Sequence, residues 1–202
     1  MEQVLVRANA LQQTEWLKKP VAPTVEIHWV NDFNNAAPGA VLVDLLYETA
    51  PLAYPANHFI LVNAVITGTD LPTNFIRINA WPGFLERKIV ELSGQDETVA
   101  QKIMSLLNWQ YQWVLNEPGF ISARTIAMII NEAYFAWGNA VASKKDIDIA
   151  MKLGTNYPYG PFEWASKIGL FAIYQLLTVL SASNERYQPA AALVQEATNT
   201  NS

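Results

Sequence analysis

The chain has 202 residues and a net charge of −5, with 51% hydrophobic residues, 15% charged residues and no cysteine. This is a globular composition, not that of a disordered chain, and the absence of thiols excludes disulfides, thiolate metal sites and a cysteine nucleophile. The acidic balance argues against a nucleic-acid partner and against an anionic membrane surface.

The first half alternates short apolar runs with turn signals. Val4–Val6 is a brief β-branched run, Leu11–Lys18 predicts a short helix stopped by Pro20, and Thr24–Val30 reads as a strand with Val25, Ile27 and Trp29 on one face. Apolar runs follow at Ala40–Leu46, at Phe59–Ile66 (ended by Gly68) and at Phe75–Ile78. Runs without polar alternation point to a parallel sheet covered on both faces, and the connections are short for full crossover helices. Asp96 opens a helix to about Leu107, Trp109–Leu115 is a last strand and Asn116–Gly119 breaks it. The character then changes. Ile126, Ile129, Ile130, Ala133, Trp137, Ala140 and Val141 follow the helical period. Ser143 with Asp146 predicts a capped helix start, Pro161 an N1 position, and Gly169 a helix end. Leu170–Leu180 and Pro189–Ala197 are the last helices, and 199–202 a frayed tail. The reading is a sheet domain over 1–116 and a helical domain over 117–202.

No segment reads as a targeting signal. The longest charge-free stretch, between Glu48 and Asp70, is broken by Pro51, Pro55 and Asn57. A cytoplasmic protein without a membrane segment is the expectation.

Six blocks carry a resemblance: Glu117-Pro118-Gly119-Phe120, Asn131-Glu132-Ala133, Asp146-Ile147-Asp148, Met151-Lys152-Leu153-Gly154, Pro158-Tyr159-Gly160-Pro161 and Ile168-Gly169-Leu170. In this order they resemble the start of the C-terminal helical domain of 3-hydroxyacyl-CoA dehydrogenases, especially the bacterial 3-hydroxybutyryl-CoA type. Upstream, Lys88-Ile89-Val90-Glu91 resembles the segment after that family's catalytic histidine, and Asp96-Glu97-Thr98 the start of the next helix. The fold the resemblance implies is an α/β domain with a reduced, Rossmann-like parallel sheet. An all-α domain of the 6-phosphogluconate/3-hydroxyacyl-CoA dehydrogenase type follows it, and members dimerise through that domain.

Activity has to be checked position by position. The family's G-x-G-x-x-G turn aligns with Val4–Gln13, where Ala8, Ala10 and Gln13 replace the three glycines. A methyl and a long side chain obstruct pyrophosphate approach and helix packing. Asp32 has about the spacing of an acidic ribose partner but also reads as a turn residue, and Trp29 holds the more natural aligned position. The sequence therefore predicts that NAD, the family cofactor, is not bound, and no cofactor-binding residue is assigned. The resemblance implies a histidine general base held by a glutamate twelve residues later. Glu91 is the retained glutamate, but Asn79 stands where the base belongs, leaving Glu91 nothing to orient. An amide cannot accept the hydroxyl proton. The family's Ser-Asn-Arg triplet reads Ser122-Ala123-Arg124, and its serine-rich substrate turn reads Asn63-Ala64-Val65-Ile66.

The remaining candidates have structural readings. His28 lies in a strand and His58 in a loop, and two histidines without an acidic cluster make no metal site. Trp109, Tyr111 and Trp113 read as core packing, Glu86-Arg87-Lys88 as a solvated charge run, the Tyr157–Pro161 loop as packing, and Asp44 and Glu48 as surface residues. Glu91 is thus the one retained catalytic position, with Asn79, Ser122 and Arg124 as substrate-cleft candidates and no metal ligands. The expectation is an impaired, homodimeric dehydrogenase-like protein that binds an acyl-CoA or a partner enzyme. The alternative is an active oxidoreductase on 3-hydroxyacyl-CoA, in fatty acid or hydroxybutyrate metabolism, with a rearranged site.

Overall fold

The computed structural model describes residues 2–67 and 70–199. Gly68, where a turn was expected, and positions 200–202 of the tail lie outside the described residues. The chain divides into two compact units, Met1–Phe120 and Ile121–Ser202.

The first unit is built on one seven-stranded sheet of order β2-β1-β3-β4-β5-β6-β7. Its strands are β1 (Glu2–Arg7), β2 (Val25–Trp29), β3 (Val41–Asp44), β4 (Ile60–Asn63), β5 (Phe75–Ile78), β6 (Ile89–Gly94) and β7 (Gln110–Trp113). The β-branched and leucine-rich runs make the central strands, and β3 and β4 are buried at every position, as strands covered on both faces must be. All neighbours pair in parallel except β5 and β6, where Ile78 faces Leu92 in antiparallel register. The sheet is thus parallel-dominated, as the resemblance implied, with β6 and β7 reversed. Reading the sequence missed β6 because Ile89–Leu92 follows directly on a charge run.

The period-2 geometry of the strands sorts their side chains onto two faces. Val4, Val6, Val43, Leu61, Ile76, Val90 and Leu92 share one core with Trp16 from α1 (Ala10–Trp16) and with Val99, Ile103 and Leu107 from α2 (Glu97–Leu107). Asp96 caps α2 by accepting from the Thr98 amide at 2.8 Å, and Asn108 ends it in the left-handed conformation. On the opposite face Leu5, Leu42, Ile60 and Val62 are covered by connecting segments instead of helices. Phe33, Tyr47 and Tyr54 do the covering together with Phe75 at the start of β5, with neighbouring ring centroids 5.3–6.5 Å apart. Such rings bury large areas per residue, which is how a shortened domain keeps this face dry.

The second unit is helical: α3 (Ser122–Gly138), α4 (Lys144–Thr155), α5 (Pro161–Ile168), α6 (Leu170–Ser181) and α7 (Ala191–Asn199), with a 3-10 turn at Glu185–Tyr187. Long α3 packs against α5, α6 and α7. Its buried Asn131 holds the chain before α7, donating to Gln188 O at 2.9 Å and accepting from Ala190 N at 2.8 Å. Ser143 caps α4 and Pro161 is the first residue of α5. Gly169 separates α5 from α6, whose axes differ by 97°. No single helix among the described residues is long and apolar enough to cross a membrane.

Candidate active site

In an open parallel sheet ligands sit at the carboxyl ends of the strands, where the strand order reverses. That point here lies between β1 and β3. It is filled by a buried ion pair, Arg7 Nη1 to Asp44 Oδ2 at 2.7 Å, and Tyr54 OH donates to the same oxygen at 2.6 Å. Arg7 also reaches Ala50 O, and Asp44 Oδ1 accepts from Leu46 N at 2.9 Å. Asp44 is therefore fully buried, not a surface residue as its place at a strand end suggested. Burial and the adjacent carboxylate push the Tyr54 hydroxyl far above its ordinary pKa. Glu48 accepts from the amides of Ile66 and Thr67, both at 2.6 Å, and so fixes the turn after β4.

The turn between β1 and α1 is wired to itself. Asn9 Oδ1 accepts from Gln12 N at 2.9 Å, and Gln12 Oε1 accepts from Asn9 N at 3.1 Å. Gln13 Nε2 donates to Ala8 O at 3.2 Å, while Gln12 Nε2 donates to Leu45 O at 2.8 Å. A pyrophosphate needs open amides at such a turn. Two of them are taken and the glycine positions carry side chains, so the turn as described fits a pyrophosphate poorly. Asp32 is exposed and accepts from Asn34 N at 3.0 Å, closing a local turn.

Further along the same edge the sheet brings Asn79 and Glu91 together. Asn79 follows β5 and is almost fully buried. Its Nδ2 donates to Glu91 Oε2 at 3.2 Å, and its backbone N–H donates to Glu91 O, also at 3.2 Å. Its Oδ1 accepts from Trp81 N at 3.4 Å. The antiparallel β5–β6 register creates this pairing over a twelve-residue separation. The expectation that Glu91 has nothing to orient is thereby corrected: it orients an amide. Asn63, at the end of β4, donates to Leu45 O at 3.3 Å and accepts from Ala80 N at 3.0 Å. It holds the residue after Asn79.

Ser122 and Arg124 belong to the second unit, at the start of α3. Ala123 between them is fully buried, and the Arg124 guanidinium lies 5.9 Å from the Tyr187 ring centroid. His58 is buried, with its two ring nitrogens 2.9 Å and 3.1 Å from the carbonyl oxygens of Ala56 and Ala37. His28 faces Glu26 at 3.4 Å. Among the described residues no group of three or more His, Asp or Glu side chains could hold a metal ion.

The residue that reading the sequence missed is Arg77. It points into the sheet edge from β5 with no solvent exposure. Nε donates to Ala64 O at 2.9 Å, Nη1 to Asn116 Oδ1 at 2.8 Å and Glu117 O at 3.1 Å, and Nη2 to Val65 O at 3.4 Å. Phe120 lies against it at 4.9 Å. Burial pushes its pKa down to about 10, with the Glu48 carboxylate working the other way. Arg77 thus ties the turn after β4 to the segment that leads out of the sheet.

Residues 119–201 match the family of the 3-hydroxyacyl-CoA dehydrogenase C-terminal domain. The chain is 43% identical over 106 residues to 3-hydroxyadipyl-CoA dehydrogenase of Escherichia coli K12, covering 50% of this chain and 22% of that protein. It is 31% identical over 144 residues to 3-hydroxybutyryl-CoA dehydrogenase of Bradyrhizobium diazoefficiens, covering 67% of this chain and 49% of that protein. The matched stretches thus span less than half the length of these curated relatives. In fold, 99% of the chain matches 94% of the solved (S)-3-hydroxybutyryl-CoA dehydrogenase of Ralstonia eutropha, with a TM-score of 0.72 and 19% identity. These matches overturn the expectation that no cofactor belongs here: the chain is a member of the 3-hydroxyacyl-CoA dehydrogenase family, and that family is NAD-dependent.

Proposed function

We propose that this chain is a 3-hydroxyacyl-CoA dehydrogenase-like protein whose own dehydrogenase step is impaired, and that it acts as a homodimer binding an acyl-CoA or a partner enzyme. The observation that carries this reading is the Asn79–Glu91 pair. Oxidation of a 3-hydroxyacyl group needs a base that takes the hydroxyl proton near neutral pH. The Asn79 amide has no basic lone pair, and its oxygen and nitrogen are engaged by Trp81 N and Glu91. It can hold or donate a hydrogen bond to a hydroxyl or carbonyl, which suits binding rather than proton abstraction. The dimer rests on apolar side chains left in solvent on the second unit, among them Ile121, Phe135, Phe171 and Val179, since exposed apolar helix surface favours an isologous contact.

The test is titration calorimetry with acetoacetyl-CoA and with 3-hydroxybutyryl-CoA. The reading expects saturable binding of either acyl-CoA. If no binding is found up to millimolar ligand, acyl-CoA is not what the protein holds.

A further inference from the structure

The first unit holds a cavity of about 640 Å³ that none of the chemistry above uses. Its walls come from the segment after α1, the segment before β6, the outer side of α2 and the start of β7. Lys18, Lys19, Arg87 and Lys88 line it, against a single carboxylate, Glu86. A chain with net charge −5 thus gathers four of its 13 lysines and arginines around one hollow. The charge run read from the sequence as merely solvated is indeed solvent-exposed at Arg87 and Lys88, but it also faces this cavity.

Two of these cations are held in place. Lys19 is buried; its Nζ donates to Arg87 O at 2.6 Å and sits 4.5 Å from the Trp109 ring centroid. Trp109 is itself fixed by Trp16 at 4.4 Å and by donating Nε1–H to Pro20 O at 2.8 Å. The Arg87 guanidinium lies over Phe84 at 4.1 Å. Lys18 pairs with Glu86 at the rim. Desolvation lowers the pKa of Lys19 and of Arg87 from their ordinary values. Positive charges held close together, one of them buried, and outnumbering the carboxylates near them lower their energy by taking up an anion.

We infer that this cavity binds a small anion bearing a diphosphate group, its oxygens received by Lys19, Arg87 and Lys88. Glu86 in the wall and Glu91 acting on Arg87 from outside it leave the four cations in excess by two, which calls for more than a single negative charge. Arginine's planar fork matches phosphate oxygens two at a time, and the lysines add point charges around it. The volume falls in the range of small-molecule sites, about 300–1,000 Å³. Met104 and Trp109 give the same hollow an apolar wall, which suits an organic group carried on the diphosphate. On β6, Val90 and Leu92 pack toward α2 and this side of the sheet, so the alternation of the strand sends Glu91 to the opposite face. Glu91 does not line the cavity, although its carboxylate is near enough to act on Arg87.

The experiment is titration calorimetry on the whole chain with inorganic pyrophosphate and, separately, with ADP, against potassium chloride at matched ionic strength. Lys88→Glu and Arg87→Gln are run alongside, with circular dichroism confirming their fold. Lys88 is exposed, so its variant keeps the test valid even where Arg87→Gln loses stability. Saturable binding that weakens at least about tenfold in Lys88→Glu supports the site. Binding of both probes assigns the diphosphate of an organic ligand, and binding of pyrophosphate alone assigns a free inorganic anion. No saturable heat with either probe up to millimolar concentration, or unchanged affinity in both variants, overturns the proposal.

Discussion

Replacing Arg77 by methionine keeps the aliphatic stem and removes the guanidinium from the sheet edge. Five donors' worth of side chain then vanish from a place with no solvent exposure. Val65 O still accepts from Gly119 N at 2.7 Å, and Asn116 Oδ1 from Ser93 Oγ at 3.3 Å. Ala64 O and Glu117 O lose the donor that Arg77 provides. Each buried carbonyl so stranded costs about 1–3 kcal/mol, and a charge already penalised by burial returns some of that cost when removed. The net expected loss is about 3 kcal/mol, or a fall of roughly 6–12 °C in the melting temperature of the first unit. Arg77→Lys should lie between, since it keeps the charge without the fork. The assay is urea and thermal unfolding followed by tryptophan fluorescence, to which Trp16, Trp29, Trp81, Trp109 and Trp113 of the first unit contribute beside Trp137 and Trp164 of the second. A methionine variant within about 1 kcal/mol of the parent would refute the role given to Arg77.

In the second unit, Gly160→Ala should destabilise strongly: an added Cβ would stand 2.3 Å from Asp148 Oδ1, and that carboxylate is held by Phe162 N at 2.8 Å. Thermal unfolding checks this, and because the added Cβ would also stand 2.5 Å from Asp148 Cβ, Gly160→Ala should still destabilise in an Asp148→Ala background; a Gly160→Ala variant as stable as the parent would refute the close approach. Glu163 is held below the usual carboxylate range by its hydrogen bond with Lys152 and then by the Gly160 amide. A depressed folded-state pKa gives stability that is present above the unfolded carboxylate value and lost as pH falls through the folded one. Urea unfolding of Glu163→Gln across the acid range should show a flatter pH dependence than the parent; an identical profile counts against the pairing. Sedimentation at micromolar concentration should show a dimer, and Phe171→Glu a shift toward monomer; a monomeric parent removes the dimer from the proposal.

Much of the helical unit is legible in the sequence because its signals are local. Ser143 marks a helix start through its side chain, Pro161 another through its ring, and Gly169 a helix end through a positive φ that its missing side chain allows. The central strands are legible because Val41–Val43 and Ile60–Val62 are apolar on both faces. The strand β6 is not, since Arg87-Lys88 precedes it and half-exposed Glu91 interrupts it. Asn79 was found by counting back from Glu91. That it stays bonded to Glu91 follows only from the antiparallel register, which no local pattern encodes. Arg77 was invisible for a related reason: a charge inside Phe75–Ile78 reads as a polar face until the chain from Asn116 to Phe120 returns to supply its acceptors. Asp44 was misread because a carboxylate at a strand end gives no hint of the arginine at the end of β1. The paired fold of the first unit decides all three.

The central claim is that proton abstraction fails at position 79, and it is tested by following NADH absorbance with 3-hydroxybutyryl-CoA and NAD for the parent and for Asn79→His. A general base contributes about 10²–10⁴-fold, and a histidine here would find Glu91 in place to orient it. With NAD raised until the rate no longer increases, because the turn between β1 and α1 fits a pyrophosphate poorly, the account predicts negligible turnover by the parent and a rise of at least about a hundredfold in Asn79→His. Turnover by the parent at ordinary enzymatic rates would contradict it.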